Sequence, residues 1–320
     1  MKKLLGIDIG GTKCAVIHGE YDGEDLHITA KEIFETKKYC DPESALGKIA
    51  EIIQRTTGDS IHSYDGIGIS CGGPLNSRTG CIMSPPNLPG WDEVRVVDYF
   101  QDRFKIPVYL QNDANAGALA EWRFGAGKGL SDLIFLTCGT GLGAGLILNG
   151  RLYTGMNDTA GEAGHIRLSE FGPVGYGKCG SFEGFCSGGG VAHLAELKLM
   201  EYRQMGRKHH LMEGNISAKK VFGLAQEKDE LCLEICRITG EYLGRGMAVL
   251  IDILNPQAII GGSVFARNYE LLMPYVKKVI ARECIPAAAK NCRILPAMLS
   301  ESIGDMAALT VALGLGGREH

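Results

Sequence analysis

The sequence lacks the marks of a nucleic-acid or membrane partner. Over 320 residues its 33 lysines and arginines are outnumbered by 37 aspartates and glutamates, a formal net charge of −4. No basic stretch stands out of the kind a nucleic-acid surface needs. No segment approaches the roughly 18–20 consecutive apolar residues of a membrane span. The start, Met1-Lys2-Lys3-Leu4-Leu5, has the basic beginning of a signal peptide, but Asp8 and Gly10-Gly11 break its apolar run at once. A disulfide framework is missing as well. The eleven cysteines are an odd number without paired spacings, which points to reduced thiols in a cytoplasmic protein.

Glycine is what the sequence has in excess. The 45 glycines cluster, and the clusters read as loops between short apolar runs. The first follows Leu4-Leu5-Gly6-Ile7 and precedes Cys14-Ala15-Val16-Ile17: a hairpin with the turn Asp8-Ile9-Gly10-Gly11-Thr12-Lys13. Glycines there let backbone N–H groups approach an anion, Thr12 adds a hydroxyl donor, and Asp8 could hold Mg²⁺ directly or through water. An ordinary Gly-Gly hairpin turn beside an acid fits the same letters.

Residues 26–34 alternate as a third strand, Asp41-Pro42-Glu43 starts a helix that buries Ala45, Ile49, Ile52 and Ile53, and residues 65–70 return as a buried strand. The proline-rich run Ser84-Pro85-Pro86-Asn87-Leu88-Pro89-Gly90-Trp91 predicts an ordered loop. A helix near 94–104 and a strand at 108–111 lead to Asn112-Asp113-Ala114-Asn115-Ala116, where Asp113 stands at a strand-to-helix switch. An acid there is favoured by the helix dipole, either as a simple cap or as a reactive carboxylate. Past the flexible run 125–129 the opening pattern returns as Thr137-Cys138-Gly139-Thr140-Gly141-Leu142-Gly143 between two apolar runs. This internal duplication implies two similar halves, each with one phosphate-type turn.

Further on, Gly161-Glu162-Ala163-Gly164-His165 and Glu183 supply carboxylates and an imidazole suited to a polyhydroxyl ligand, or merely to a polar surface. Beyond residue 187 the pattern is mostly helical, with one long helix from about 230 to 254. The strand at 258–260 ends in Gly261-Gly262-Ser263, a turn that can accept a base and ribose or cap the next helix. Helices near 268–283 and 302–313 flank a short strand at 293–295.

In order, these five motifs resemble those of ROK-family sugar kinases over nearly the whole chain. The resemblance implies an α/β, actin-like ATPase (ribonuclease H-like) fold of two similar α/β domains with a cleft between them. The smaller would comprise residues 1–118 and about 303–320, and the larger about 119–302. It implies ATP-dependent phosphorylation of glucose or a related hexose, with Asp113 as general base. Gly10, Gly11, Thr12, Lys13, Gly139, Thr140, Gly141, Gly261 and Gly262 would hold the nucleotide, with Asp8 placing Mg²⁺. Asn112, Glu162, His165, Glu183 and Asn87 would bind the sugar.

Many ROK members carry cysteines after the histidine that bind structural zinc. Here those positions are Val174, Tyr176 and Ser181, so no zinc is expected, and packing of Tyr176, Phe182 and Phe185 is expected to hold the loop instead. The family also implies a homodimer through helices after residue 187. Its other members include sugar-responsive transcriptional regulators, whose DNA-binding segment precedes the first hairpin. A sugar sensor without turnover is a further alternative, which the intact Asp113 opposes.

Overall fold

The computed structural model describes residues 1–39 and 41–315. The chain folds as two compact units: Met1–Gly129 with Gly145–Ala160 and the residues from Glu301, and Leu130–Ala144 with Gly161–Ser300. Residues 119–129 stay with the first unit because the helix that starts at Asp113 runs unbroken to Phe124. Residues 316–320 of the expected C-terminal return lie outside the described residues.

In the first unit, β1 (Lys2–Ile9), β2 (Lys13–Tyr21) and β3 (Leu26–Glu35) are antiparallel, as their short connections require. Helix α1 (Pro42–Thr57) follows, capped by Asp41, whose side chain accepts the Ser44 N–H. Its apolar stripe, Ala45, Ile49, Ile52 and Ile53, is buried. β4 (Gly66–Cys71) is buried throughout. A three-stranded ribbon of β5 (Leu75–Asn76), β6 (Cys81–Ile82) and β7 (Val94–Arg95) then precedes α2 (Val96–Phe104), β8 (Val108–Asn112) and α3 (Asp113–Phe124). The helix expected from residue 94 starts two residues later, because Val94 and Arg95 pair with Ile82 and Cys81.

The main sheet has the order β3-β2-β1-β4-β8. Alternation along its strands separates two faces. Leu5, Ile7, Ile9, Ile67 and Ile69 join the core with α1 and α2, each such burial contributing about 1.5–3 kcal/mol. Gly6 and Gly68 line the opposite face. A Cβ on Gly68 would lie 2.1 Å from the Ala308 carbonyl and 2.3 Å from the Ala312 nitrogen. The bare backbone thus admits α11 (Ile303–Ala312), itself alanine-rich, directly onto the sheet.

The second sheet has the order β11-β10-β9-β14-β15. It comprises β9 (Leu133–Cys138), β10 (Leu142–Leu148), β11 (Arg151–Leu152), β14 (Ala258–Gly261) and β15 (Arg293–Pro296). A hairpin of β12 (Val174–Gly175) and β13 (Lys178–Cys179) leads to α4 (Phe182–Cys186), α5 (Gly188–Gln204), α6 (Ala218–Gln226) and the 25-residue α7 (Glu230–Leu254). After β14 come α8 (Ser263–Arg267), α9 (Tyr269–Glu283) and α10 (Pro286–Asn291). Gly240 and Gly244 of α7 face α9, where added Cβ atoms would lie 2.8 Å from Tyr275 and 2.7 Å from Val279. Gly246 accommodates the Phe182 ring of α4 in the same way. Among the described residues no helix is long and apolar enough to cross a membrane.

Two substitutions separate close approach from plain helix propensity. Gly68→Ala is expected to lower stability by about 3 kcal/mol, because α11 cannot yield without leaving the sheet. Gly47→Ala in α1, where a Cβ meets nothing within 4 Å, is expected to raise it by about 0.5–1 kcal/mol. Denaturant unfolding of both variants checks the pair.

Candidate functional site

The expected site residues fall into two arrays, one in each unit. In the first, parallel pairing sets Asp8 opposite Ser70 and Ser70 opposite Gln111, then Ile9 opposite Cys71 and Cys71 opposite Asn112. Asp8, the glycine turn and Asp113 therefore emerge at the carboxyl ends of adjacent strands, where open α/β sheets place ligands. The turn is closed by the Gly10 N–H donating to the Lys13 carbonyl at 3.1 Å, and its Thr12 and Lys13 are exposed. Gly11 has no room for a side chain: a Cβ would lie 2.3 Å from the Asn87 carbonyl oxygen. That contact places the proline-rich loop over the turn. The loop is closed by the Ser84 N–H on the Trp91 carbonyl and anchored by buried Leu88 and Trp91, while Asn87 itself is exposed.

At the start of α3 the capping role belongs to Asn112, whose Oδ1 accepts the Ala114 N–H at 3.0 Å. Asp113 is the first helical residue and is exposed; its Oδ1 also accepts the Ala114 N–H, at 2.8 Å. Two buried amides that the sequence reading did not single out straddle it. Gln111 Oε1 accepts from the Asn112 N–H and from Asn115 Nδ2, leaving Gln111 Nε2 and Asn115 Oδ1 without hydrogen-bond partners among the described residues. The signal available was the spacing of amides two residues to either side of Asp113.

Also unforeseen is an ion pair of Lys31 Nζ with Asp305 Oδ1 at 2.6 Å, joining β3 to α11. Such a pair between residues so distant in sequence leaves no local pattern. The Asp8 carboxylate packs against the same helix start, with Oδ2 3.3 Å from the Cβ position of Gly304. Asp8 is partly accessible at its surface, but protein atoms enclose the carboxylate on most sides. Burial, reinforced by the charges of Asp113 and Asp305 and offset by Lys31 and Lys13, pushes its pKa up to about 6. A divalent ion, with its preference for oxygen ligands, would offset the mutual repulsion of these carboxylates.

In the second unit the turn Gly139-Thr140-Gly141 joins β9 to β10. Its Gly139 and Thr140 carbonyls accept the N–H groups of Gly188 and Gly189 at the start of α5. Glu183 is fixed against it: Oε2 accepts the Leu142 N–H at 2.9 Å and would lie 2.7 Å from a Cβ on Gly141. Ser181 caps α4, accepting the Gly184 N–H, and so orients Glu183 in the first helical turn. Gly164 packs against the Leu142 carbonyl and Glu183 Cβ, which brings Glu162 and His165 into the same neighbourhood. Burial raises the Glu162 pKa, the nearby Glu183 adds to this, and His165 opposes it. Gly261 and Gly262 end β14, and the Gly262 N–H donates to the Leu136 carbonyl. A Cβ on Gly139 would meet Ser263 Oγ at 3.9 Å, so these two glycine turns adjoin with little side-chain bulk between them.

The loop after His165 is held differently from the sequence expectation. Phe182 and Phe185 are buried, Phe185 stacking on Tyr242 with centroids 3.5 Å apart. Tyr176 instead projects outward, 65% exposed. The hairpin does without it because the Leu168 and Ser169 N–H groups donate to the Gly180 carbonyl, and Arg167 to the Cys179 carbonyl.

Among the described residues, three metal-type ligands cluster closely at His209, His210 and Asp229. His209 Nδ1 accepts the Leu211 N–H, so the hydrogen on Nε2 points at Asp229, 2.9 Å away, and Asp229 also caps α7. That arrangement is satisfied without an ion.

The raised pKa of Asp8 has a stability consequence. Below about pH 4 the group is protonated whether the chain is folded or not. Above pH 6 it is ionised in both states, and the folded state bears the cost of the confined charge. Its contribution to stability therefore falls as pH rises from about 4 to 6. Asp8→Asn is expected to be more stable than the unsubstituted chain by about 2–3 kcal/mol near pH 7.5 without divalent cations, the gap closing toward pH 4. Thermal melts at the two pH values check this.

The family model of the ROK family matches residues 4–314. The chain is 32% identical over 307 residues to a glucokinase of Halalkalibacterium halodurans, covering 94% of this chain and 92% of the other. It is 30% identical over 297 residues to a xylose repressor of Caldicellulosiruptor bescii, covering 91% and 73%. Among solved structures, a ROK-family glucokinase from Streptomyces griseus in complex with glucose and AMPPNP aligns with a TM-score of 0.77 and 27% identity, covering 98% and 99%. With the fold and the ordered motifs in agreement, the chain belongs to the ROK family and has its actin-like ATPase fold.

Proposed function

We propose that the protein is an ATP-dependent sugar kinase that phosphorylates a hydroxyl of glucose or a related hexose. The observation that carries this reading is Asp113, held at the head of α3 in the same strand-end row as Asp8 and the first glycine turn. The Asp113 carboxylate accepts the proton of the sugar hydroxyl as its oxygen attacks the γ-phosphorus. The new O–P bond replaces the bond to the bridging oxygen, which leaves with ADP. Phosphoryl transfer depends mainly on positioning and charge neutralisation, so an ordinary carboxylate suffices as base.

The remaining roles follow the chemistry of the side chains. Gly10, Gly11, Thr12 and Lys13 bind phosphate, as do Gly139, Thr140 and Gly141, and the Gly261-Gly262 turn takes the adenosine. Asp8 would hold Mg²⁺, directly or through water, and the ion when bound neutralises phosphate charge. Glu162, His165 and Glu183, with Asn112 and Asn87, bind sugar hydroxyls. The half-buried setting of Glu183 makes a missing hydroxyl costly, which is how such a site discriminates among sugars. A homodimer is consistent with α5, which leaves Leu197 and Met200 exposed, one helical turn apart.

A second reading, a sugar-responsive regulator, draws support from the identity to the xylose repressor. A coupled ADP-release assay across hexoses, amino sugars and glucosides separates the two. Turnover is expected with at least one hexose, and Asp113→Asn is expected to lower kcat by about 10²–10⁴-fold while sugar binding persists. No ADP release with any sugar, together with no effect of Asp113→Asn, would overturn the kinase reading.

A further inference from the structure

Building on the sugar-kinase reading, we propose that Tyr176 forms an outer subsite, so that the protein takes as acceptor a glycoside whose second ring stacks on this tyrosine. The ring is out of place as a structural element. It occupies the first central position of the tight turn between β12 and β13, with φ of 45°, and is followed by Gly177 at 72°. Such a two-residue turn favours asparagine or glycine at both positions, and a tyrosine there is held at a cost. Burial does not repay it, since the side chain is largely exposed while Phe182 and Phe185 fill the loop's interior.

What the ring does touch is His165. The two rings meet edge to face with centroids 6.0 Å apart. Lys178, on the other arm of the hairpin, donates from Nζ to the His165 carbonyl at 2.8 Å. The hairpin and the His165 segment are thus tied at two points, and the position of Tyr176 relative to the imidazole is set. Exposure increases outward through this group: Glu183 is half-buried, Glu162 and His165 are exposed, and Tyr176 lies beside His165 on the solvent side.

A hexose bound through Glu162, Glu183 and His165 has its outermost atoms against the imidazole, and the next surface beyond is the tyrosine ring. An exposed aromatic face offers nothing to a lone hydroxyl, but it suits the C–H face of a second pyranose or a flat aglycone. Val174, 49% exposed on the same hairpin, extends that apolar surface.

Calorimetric titration of the full chain in the absence of ATP tests the subsite, with glucose, phenyl α- and β-glucosides and glucose disaccharides as probes. At least one glycoside is expected to bind about 3- to 10-fold more tightly than glucose. Tyr176→Gly and Tyr176→Asn, both compatible with the turn's backbone, are expected to abolish that ratio, and Tyr176→Trp to keep it. The proposal is overturned if no glycoside outbinds glucose, or if the ratio survives in both the Gly and Asn variants. In either case ADP release with glucose would leave the kinase reading standing. If the unsubstituted protein neither binds nor phosphorylates any sugar, both fall together.

Discussion

The parallel pairing of β1 with β4 and of β4 with β8 sets the level at which every functional group of the first unit leaves its strand. A slip of one residue would turn Asp8 from the α11 face into the apolar core and carry Gly6 and Gly68 away from the helix they admit. Register is therefore specified twice, by the isoleucines on one face and by the glycines on the other. The chemistry at the strand ends inherits that precision. Asp113 needs no long-range contact of its own to stand level with the first glycine turn, because β8 delivers it there.

Both units use the omission of side chains in the same way, with different partners. Gly11 yields space to the Asn87 carbonyl, Gly141 to the Glu183 carboxylate, and Gly240 and Gly244 to α9. In the turns a backbone without side chains suits the approach of a phosphate. In the helices it brings axes close enough for α7 to support α4, and with it Glu183. The abundance of glycine is thus divided between ligand approach and helix packing, and composition alone does not distinguish the two.

Much of this was legible in the letters, and what was not shares a physical cause. The opening hairpin, α1 with its buried stripe, the buried β4, the α3 start at Asp113, and the long α7 all carry strong local periodicity or a capping signal. The five ordered motifs carry Asp8, Asp113, the glycine turns, Glu162 and His165, but not Gln111, Lys31 or Asp305. The ribbon of β5, β6 and β7 escaped because strands of two residues have no period to read. The Lys31–Asp305 pair escaped because its partners are brought together only by the finished sheet. Tyr176 was misjudged as packing because an aromatic residue between glycines looks like a core residue until the turn's backbone shows it pointing outward. Asp113 was equally suited to be a cap, and the letters do not show that Asn112 takes that position.

The covering of the glycine-lined face by α11 also governs how the chain can be made. β1 is translated well before the helix that shields Gly6 and Gly68 and presents Asp305 to Lys31, which lies beyond residue 300. During synthesis the N-terminal sheet can form its hairpins and bury its isoleucines against α1 and α2, but one face stays open until nearly the entire second unit has emerged. The first unit is thus begun early and completed late, and for that interval its unfinished face is the surface most open to chaperones and to aggregation.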